Sequence, residues 1–267
     1  MKLSLNRLFL LAGLGALAAF PAVAPGETHE RRLLFAPEAS CAVSEALPAQ
    51  IASLPRFSHA LLSGRPVRIV AIGSSSTQGI GASSPTQTYP AQLRALLELA
   101  LPRYTFDVVN LGVGGEVADQ TVARLRREIP ELKPDLVIWQ VGTNDGLTGV
   151  PPEVYEKTVR SALEFLKRDG DDTLLVGMQW TRKFAANAAY MAVRDATTLV
   201  ARQEGVTLVS RFDAMRRLAE AHGREELIGP DHLHMNDRGY RCLAEQLAAT
   251  LARALVEDQT AEFGLNG

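Results

Sequence analysis

Nowhere in the 267 residues does a lysine- and arginine-rich run interleave with aromatics, and the formal net charge is only −2. A basic surface for nucleic acid is therefore not expected. Cysteine is scarce. Cys41 and Cys242 are the only two, and no Cys-x-x-Cys pair or Cys/His cluster has zinc spacing. Internal repeats and low-complexity tracts are absent. Beyond the first two dozen residues, no apolar stretch is long enough to cross a bilayer.

With 46% hydrophobic and 22% charged residues, the chain has the composition of an ordered domain. Its length suffices for one sizeable α/β domain and does not require two. The first residues have the features of an export signal. Lys2 and Arg7 form a short basic start, Leu8 to Ala19 is apolar, and Ala16-Leu17-Ala18 and Ala22-Val23-Ala24 offer cleavage sites. The apolar run is short for a bilayer span of about 20 residues, so an uncleaved anchor is the lesser reading. Removal of residues 1–24 takes Lys2 and Arg7 with it, and the charge moves from −2 to −4. A periplasmic or secreted location is therefore expected. In such a compartment Cys41 and Cys242 permit one disulfide tying the N-terminal extension to the last helix; two separate small core residues are the alternative.

Residues 25–64 carry Pro25, Pro37, Pro48 and Pro55 and few clean periods, which suggests an outer arm with one short helix over 43–54. From Val67 onward, strand and helix signals alternate. Strand-like runs are Val67–Ile72, Phe106–Leu111, Leu136–Val141, Leu174–Met178 and Val206–Ser210, apolar on both faces as buried parallel strands are. Helix-like stretches are Tyr89–Leu101, Val117–Glu131, Pro152–Lys167, Asn187–Gln203 and Asp213–His222, with a last one from about Asn236 to Val256. The alternation predicts an open five-stranded parallel sheet with helices on both faces. The division expected is a signal over 1–24, an extension over 25–64, the main α/β domain over 65–258 and a tail over 259–267.

Ligands of such sheets bind at the carboxyl ends of the strands. Each noteworthy polar motif falls there: Gly73–Thr77, Gly112–Glu116, Gly142–Asp145 and Asp231–His234. A serine at a strand-to-helix turn presents a hydroxyl but needs a base to become a nucleophile. Ser74, Ser75 and Ser76 are adjacent candidates. His234 is the candidate base, with Asp231 three residues earlier as its orienter and His232 as a competitor. An oxyanion needs donors: the Ser75 N–H, the Gly115 N–H and the Asn144 amide are available.

These four segments resemble the blocks of the SGNH, or GDSL-type, hydrolases. Gly73-Ser74-Ser75-Ser76 stands where that family has Gly-Asp-Ser-Leu. Gly115 matches the central glycine of the second block, Gly142-Thr143-Asn144-Asp145 fits Gly-x-Asn-Asp, and Asp231-His232-Leu233-His234 fits Asp-x-x-His. The resemblance spans about 67–256. It implies a flavodoxin-like three-layer α/β/α sandwich and metal-free, cofactor-free hydrolysis of esters. By that match Ser75 is the nucleophile, Asp231 the orienter, His234 the base, and Ser75, Gly115 and Asn144 form the oxyanion hole. Ser74 replaces the usual aspartate. That aspartate is not the triad acid, so what changes is the support of the loop; Ser76 in place of an aliphatic residue is a second departure.

Other residues have plainer readings. Asp145 suits a helix cap or structural carboxylate, Glu116 a helix N-terminal charge, and Trp139 the core. Trp180, Gln179 and Arg182 are candidates to line a pocket. His29, His59 and His222 read as surface or core. Competing functions fit less well. No Lys-Ser/Thr pair follows Gly73–Gly79 as a P-loop requires. The run Gly79–Ser84 lacks the third glycine of a dinucleotide fingerprint. Gly-x-Ser-x-Gly of the α/β-hydrolases does not occur. A catalytically silent glycan-binding module is the remaining alternative. The partners expected are small-molecule, glycan or lipid esters, with no nucleic acid and no membrane span after signal removal.

Overall fold

The computed structural model describes Cys41, Pro48 and residues 51–262. The export signal and most of the N-terminal extension lie outside the described residues. Among the described residues, no helix is long and apolar enough to cross a membrane.

Five parallel strands form one sheet in the order β2-β1-β3-β4-β5: β1 Val67–Gly73, β2 Phe106–Gly112, β3 Leu136–Gln140, β4 Thr173–Val176 and β5 Thr207–Val209. Each lies within two residues of the run read from the sequence. The order is flavodoxin-like, and the chain reverses direction between β1 and β3. Register follows from apolar runs meeting at the sheet centre, with Ile69 opposite Leu136 and Ile72 opposite Trp139. Every residue of β3 is buried, Trp139 included. The expectation of two apolar faces fails for β2. It is an edge strand, only Phe106 is buried, and Asp107 and Asn110 face partly outward.

The helices are α1 Pro55–Leu62, α2 Ser75–Gln78, α3 Tyr89–Ala100, α4 Ala118–Leu132, α5 Thr143–Thr148, α6 Pro152–Asp169, α7 Arg182–Ala185, α8 Ala188–Glu204, α9 Arg211–His222 and α10 Asp237–Glu262. Right-handed crossovers place α3 and α4 on opposite faces, because β1→β2 and β2→β3 run in opposite directions across the sheet. Accordingly α3 packs with α10 and α1 with α10, while α4, α6 and α8 pack in sequence. Gly170 and Gly205 end α6 and α8 in the left-handed region, as expected of C-terminal stops. The last helix runs past Val256 to Glu262.

Most of the helix expected over 43–54 lies outside the described residues; of its span 51–54 are not helical, and a helix begins only at Pro55. Proline explains that start. It lacks an N–H and suits the first helical turn, while it drives the preceding residue out of the helical region. Leu54 has φ −123° and ψ 66°. The start of α1 is held by carboxylates from distant segments. Asp172 Oδ2 accepts the Phe57 N–H at 2.9 Å, and Asp258 Oδ2 accepts the Leu54 N–H at 3.1 Å and the Ser58 hydroxyl at 2.6 Å.

Cys41 and Cys242 form a disulfide, with Cα atoms 5.2 Å apart across 201 residues of sequence. It fastens the N-terminal arm to α10. Cys242→Ser is expected to lower unfolding free energy by about 2–5 kcal/mol, and reductant should lower the wild type to the same denaturation midpoint while leaving the variant unmoved. Near the start of β4, burial raises the Asp171 carboxyl to about 6 against Arg56, and raises Asp172 to about 6 against the backbone N–H groups of α1. A folded state that takes up protons at higher pH than the unfolded chain gains stability as pH falls from about 6 toward the ordinary carboxylate range. This contribution is lost as pH rises through 6. Relative to the wild type, Asp171→Asn/Asp172→Asn should therefore melt about 2–4 °C higher at pH 7.5 than at pH 5, measured as the difference in Tm shift between the two pH values.

Candidate active site

The carboxyl end of β1 leads directly into α2. Ser74 precedes that helix and is buried; its N–H and hydroxyl both donate to Gln140 Oε1, each at 3.0 Å. The Thr77 hydroxyl lies 3.4 Å from the same oxygen and 3.0 Å from the Tyr89 hydroxyl. Gln140, the last residue of β3, thus supplies the loop support that the family's aspartate leaves open here. Ser76 is also buried, while Ser75 is partly exposed. Among the described residues the Ser75 hydroxyl makes no hydrogen bond.

The loop after β2 lies against α2. The Val113 N–H donates to Gly73 O at 3.0 Å, and the Asn110 amide donates to Thr77 O at 2.8 Å. Gly112 permits this approach, since a Cβ there would stand 1.9 Å from the Gln78 nitrogen. Gly115 is exposed with φ +83°, a conformation that favours glycine. Glu116 faces α4. Its carboxylate accepts Arg124 Nε and Nη2, both at 2.7 Å, and the Thr121 hydroxyl at 3.0 Å. Arg124 Nη2 also donates to Leu111 O at 3.0 Å, so the pair anchors the end of β2.

Beyond β3, α5 begins at Thr143. Asn144 Nδ2 donates to Glu116 O at 2.7 Å, which sets its amide beside Gly115. Asp145 is buried and accepts the Ala118 N–H at 2.9 Å. Burial raises its carboxyl, partly offset by the backbone N–H groups of Ala118, Asp145 and Gly142. It is a structural carboxylate, as its place in the sequence suggested.

The fourth loop closes on itself. Ile228 and Met235 bridge antiparallel, and the Gly229 N–H donates to His234 O at 2.8 Å. Asp231 Oδ1 accepts the Leu233 and His234 N–H groups, each at 3.0 Å, and Oδ2 lies 2.6 Å from His234 Nδ1. Burial raises the Asp231 carboxyl, but the hydrogen bonds from His234 and the two backbone N–H groups outweigh it and hold the group below its ordinary value. It therefore stays ionised beside the imidazole. His232 is exposed, with φ +56°, outside this pair.

The segment leaving α2 is fastened to this loop. The Ile80 N–H donates to Ser75 O at 3.0 Å, and the Tyr240 hydroxyl donates to Ile80 O at 2.6 Å. A Cβ at Gly81 would stand 2.4 Å from Met235 O and 3.1 Å from the His234 Cβ. Ser83 binds Asp237 through both its N–H and its hydroxyl, at 2.7 and 2.6 Å. The described residues hold no hydrogen bond between Ser75 and His234.

Three buried polar residues behind the loops carry little or no signal in the sequence. Gln140 ends an otherwise apolar strand, which marks it weakly. Gln179 was a candidate pocket residue; it is buried and bonded to Thr143 and to the loop at Leu233. Arg211 opens α9 fully buried, and no local pattern identifies it. Trp180 lines a small cavity with Met215, Leu218 and Leu227, and Arg182 borders a surface groove with Arg224, Pro230 and His232. No group of three or more potential metal-ligating His, Cys, Asp or Glu residues occurs among the described residues.

The flavodoxin-like sheet and its four loops define a hydrolase of the SGNH type, a class that acts on ester bonds. The chain belongs to the Non-GDSL lipase-like family, whose profile matches residues 40–257. It is 30% identical over 168 residues to esterase TesA of Pseudomonas aeruginosa, covering 62% of this chain and 78% of that one. It is 25% identical to an arylesterase of Vibrio mimicus over 148 residues, 55% of this chain and 71% of that one. The crystal structure of TesA superposes with a TM-score of 0.60 at 27% identity, over 70% of this chain and 99% of that one. A two-domain esterase active on acetylated mannans shares the fold, with a TM-score of 0.67 at 23% identity; the match covers 79% of this chain and 56% of that chain.

Ser74 is bonded to Gln140, and His232 lies outside the Asp231–His234 pair. Ser74→Ala removes one hydrogen bond to Gln140 and is expected to cost about 1 kcal/mol of stability. His232→Asn keeps a residue type that tolerates positive φ. Both variants are expected to hydrolyse an aryl ester within about threefold of the wild-type kcat; a loss of a hundredfold in either would reassign the role.

Proposed function

We propose that this chain is an exported serine hydrolase that cleaves carboxylic esters through an acyl-enzyme, with Ser75 as nucleophile, His234 as base and Asp231 as orienter. The observation that carries the reading is the 2.6 Å contact between Asp231 Oδ2 and His234 Nδ1. With Nδ1–H donated to an ionised carboxylate, Nε2 is left as the proton acceptor. The Ser75 hydroxyl, the one serine hydroxyl of its cluster in a partly exposed residue, is free to give up its proton.

Attack of Ser75 Oγ on the acyl carbon forms a tetrahedral intermediate as the proton passes to His234 Nε2. The intermediate's oxyanion takes the N–H groups of Ser75 and Gly115 and the Asn144 amide. The Ser75 N–H lies in the first helical turn, where it has no intrahelical acceptor, and Asn144 Nδ2 has a second N–H beyond the one bonded to Glu116 O. Collapse expels the alcohol, which takes the proton from His234. Water then enters by the same route in reverse and releases the acid. Each oxyanion donor is worth roughly 3–4 kcal/mol of transition-state stabilisation. The disulfide, together with the signal-like N-terminus, supports a periplasmic or secreted location.

Short-chain aryl esters are suitable probes. Ser75→Ala and His234→Ala are each expected to lower kcat by at least about 10³-fold with the thermal transition unchanged. A Ser75→Ala protein that keeps wild-type turnover overturns the assignment. A folded wild type without turnover on any ester across an acyl-length series returns the chain to the silent glycan-binding module.

A further inference from the structure

Arg211 is a charge where none is expected. It is the first residue of α9, 2% exposed, and it lies behind the proposed site. Its Nε donates to Gly177 O at 2.7 Å, at the carboxyl end of β4. Its Nη2 donates to Gln179 Oε1 at 2.8 Å and to the Thr143 hydroxyl at 3.3 Å, and Nη1 lies 3.8 Å from Met235 Sδ. All four partners are neutral, and no carboxylate pairs with this guanidinium among the described residues. Removing such a group from water without a counter-charge is costly, and a hydrophobic residue would fill the space at less cost. Burial accordingly lowers its proton affinity, with the nearby Tyr190, Tyr240 and Tyr89 opposing the shift.

The partners explain what the cost obtains. Thr143 is the neighbour of Asn144, the proposed amide donor. Gln179 accepts the Thr143 hydroxyl at 2.9 Å and gives its own Nε2–H to Leu233 O at 3.2 Å, one residue before His234. Met235 follows His234 directly. The guanidinium fork and one glutamine amide therefore join the α5 start to the histidine loop from both sides, and Gly177 ties that junction to the sheet. Resting on the serine-hydrolase reading, we infer that Arg211 is a positioning residue: through Gln179 and Thr143 it holds the Asn144 donor and the His234 base at one fixed separation.

Gln179→Glu separates this role from general stability. The carboxylate keeps the acceptor for Arg211 and gives the guanidinium a counter-charge, so the fold is retained. It cannot donate to Leu233 O, so the link to the histidine loop is cut. Arg211→Lys is the companion variant, because it keeps the charge but loses the fork. Two readouts are taken on each: amide hydrogen exchange of the 229–236 segment, and kcat and KM on an aryl ester at the alkaline plateau of the pH profile. At that plateau a change in the imidazole's proton affinity does not register. Both variants are expected to exchange that segment at least about tenfold faster, with kcat reduced about tenfold or more, KM within about twofold, and exchange in β1 and β3 unchanged. The Gln179→Glu/Arg211→Lys double variant should lose no more than the worse single one, as members of one chain of contacts do. Unchanged exchange and kcat in Gln179→Glu overturn the inference while leaving the hydrolase reading in place. Faster exchange in both variants, with a wild type that hydrolyses no ester, leaves the tether standing and removes the hydrolase reading.

Discussion

The four loops at the carboxyl edge of the sheet are tied to the strands and to one another by buried polar side chains. Their positions depend on buried hydrogen bonds. Gln140 takes three donors from the serine turn through one oxygen, and Gln179 with Arg211 joins the next two loops. In a low-dielectric interior such bonds are strong when satisfied and costly when broken, so the loops have few alternative arrangements. A parallel sheet brings the strand ends together; the buried amides and the guanidinium decide how the side chains at those ends face one another.

Stability is concentrated elsewhere. The disulfide, the carboxylates at the start of α1 and the packing of α1 and α3 on α10 act on the arm and the outer helices. Asp171 and Asp172 lie near the opening of β4, at the amino edge of the sheet and away from the loops of the site. The disulfide lines a small cavity together with Arg211 and Met235, whereas protonation of Asp171 and Asp172 acts on folding at the edge opposite the proposed site. The separation suits an enzyme whose site is built from loops on a rigid frame.

Much of this was legible in the sequence. Runs such as Val67–Ile72 and Leu136–Val141 are apolar, short and flanked by turn residues, and they became strands because a buried parallel strand has no other pattern to show. The loops of the proposed site drew notice because glycine, serine, asparagine, aspartate and histidine gather after β1, β2 and β3 and ahead of α10. Of the helix expected over 43–54 only the end falls among the described residues, and 51–54 are not helical because Pro55 holds Leu54 outside the helical region. The edge character of β2 was missed, since strand order is not encoded in any one segment, although Asp107 and Asn110 hinted at it. Arg211 stayed hidden, and Gln179 was noticed only as a candidate pocket residue, for a different reason. Their role comes from partners distant in sequence, 24 to 68 residues away, and nothing beside them in the chain marks it. The roles of Ser75, Asp231 and His234 themselves rest on the loop match and on the 2.6 Å carboxylate–imidazole contact.

The central claim is that one hydroxyl among three, at residue 75, is activated by the imidazole at residue 234. Peptide mapping by tandem mass spectrometry after treatment with a fluorophosphonate tests it most directly. The account predicts a single adduct on Ser75 in the wild type and none in His234→Ala. An adduct on Ser74 or Ser76, or equal labelling of Ser75 without the imidazole, would contradict it.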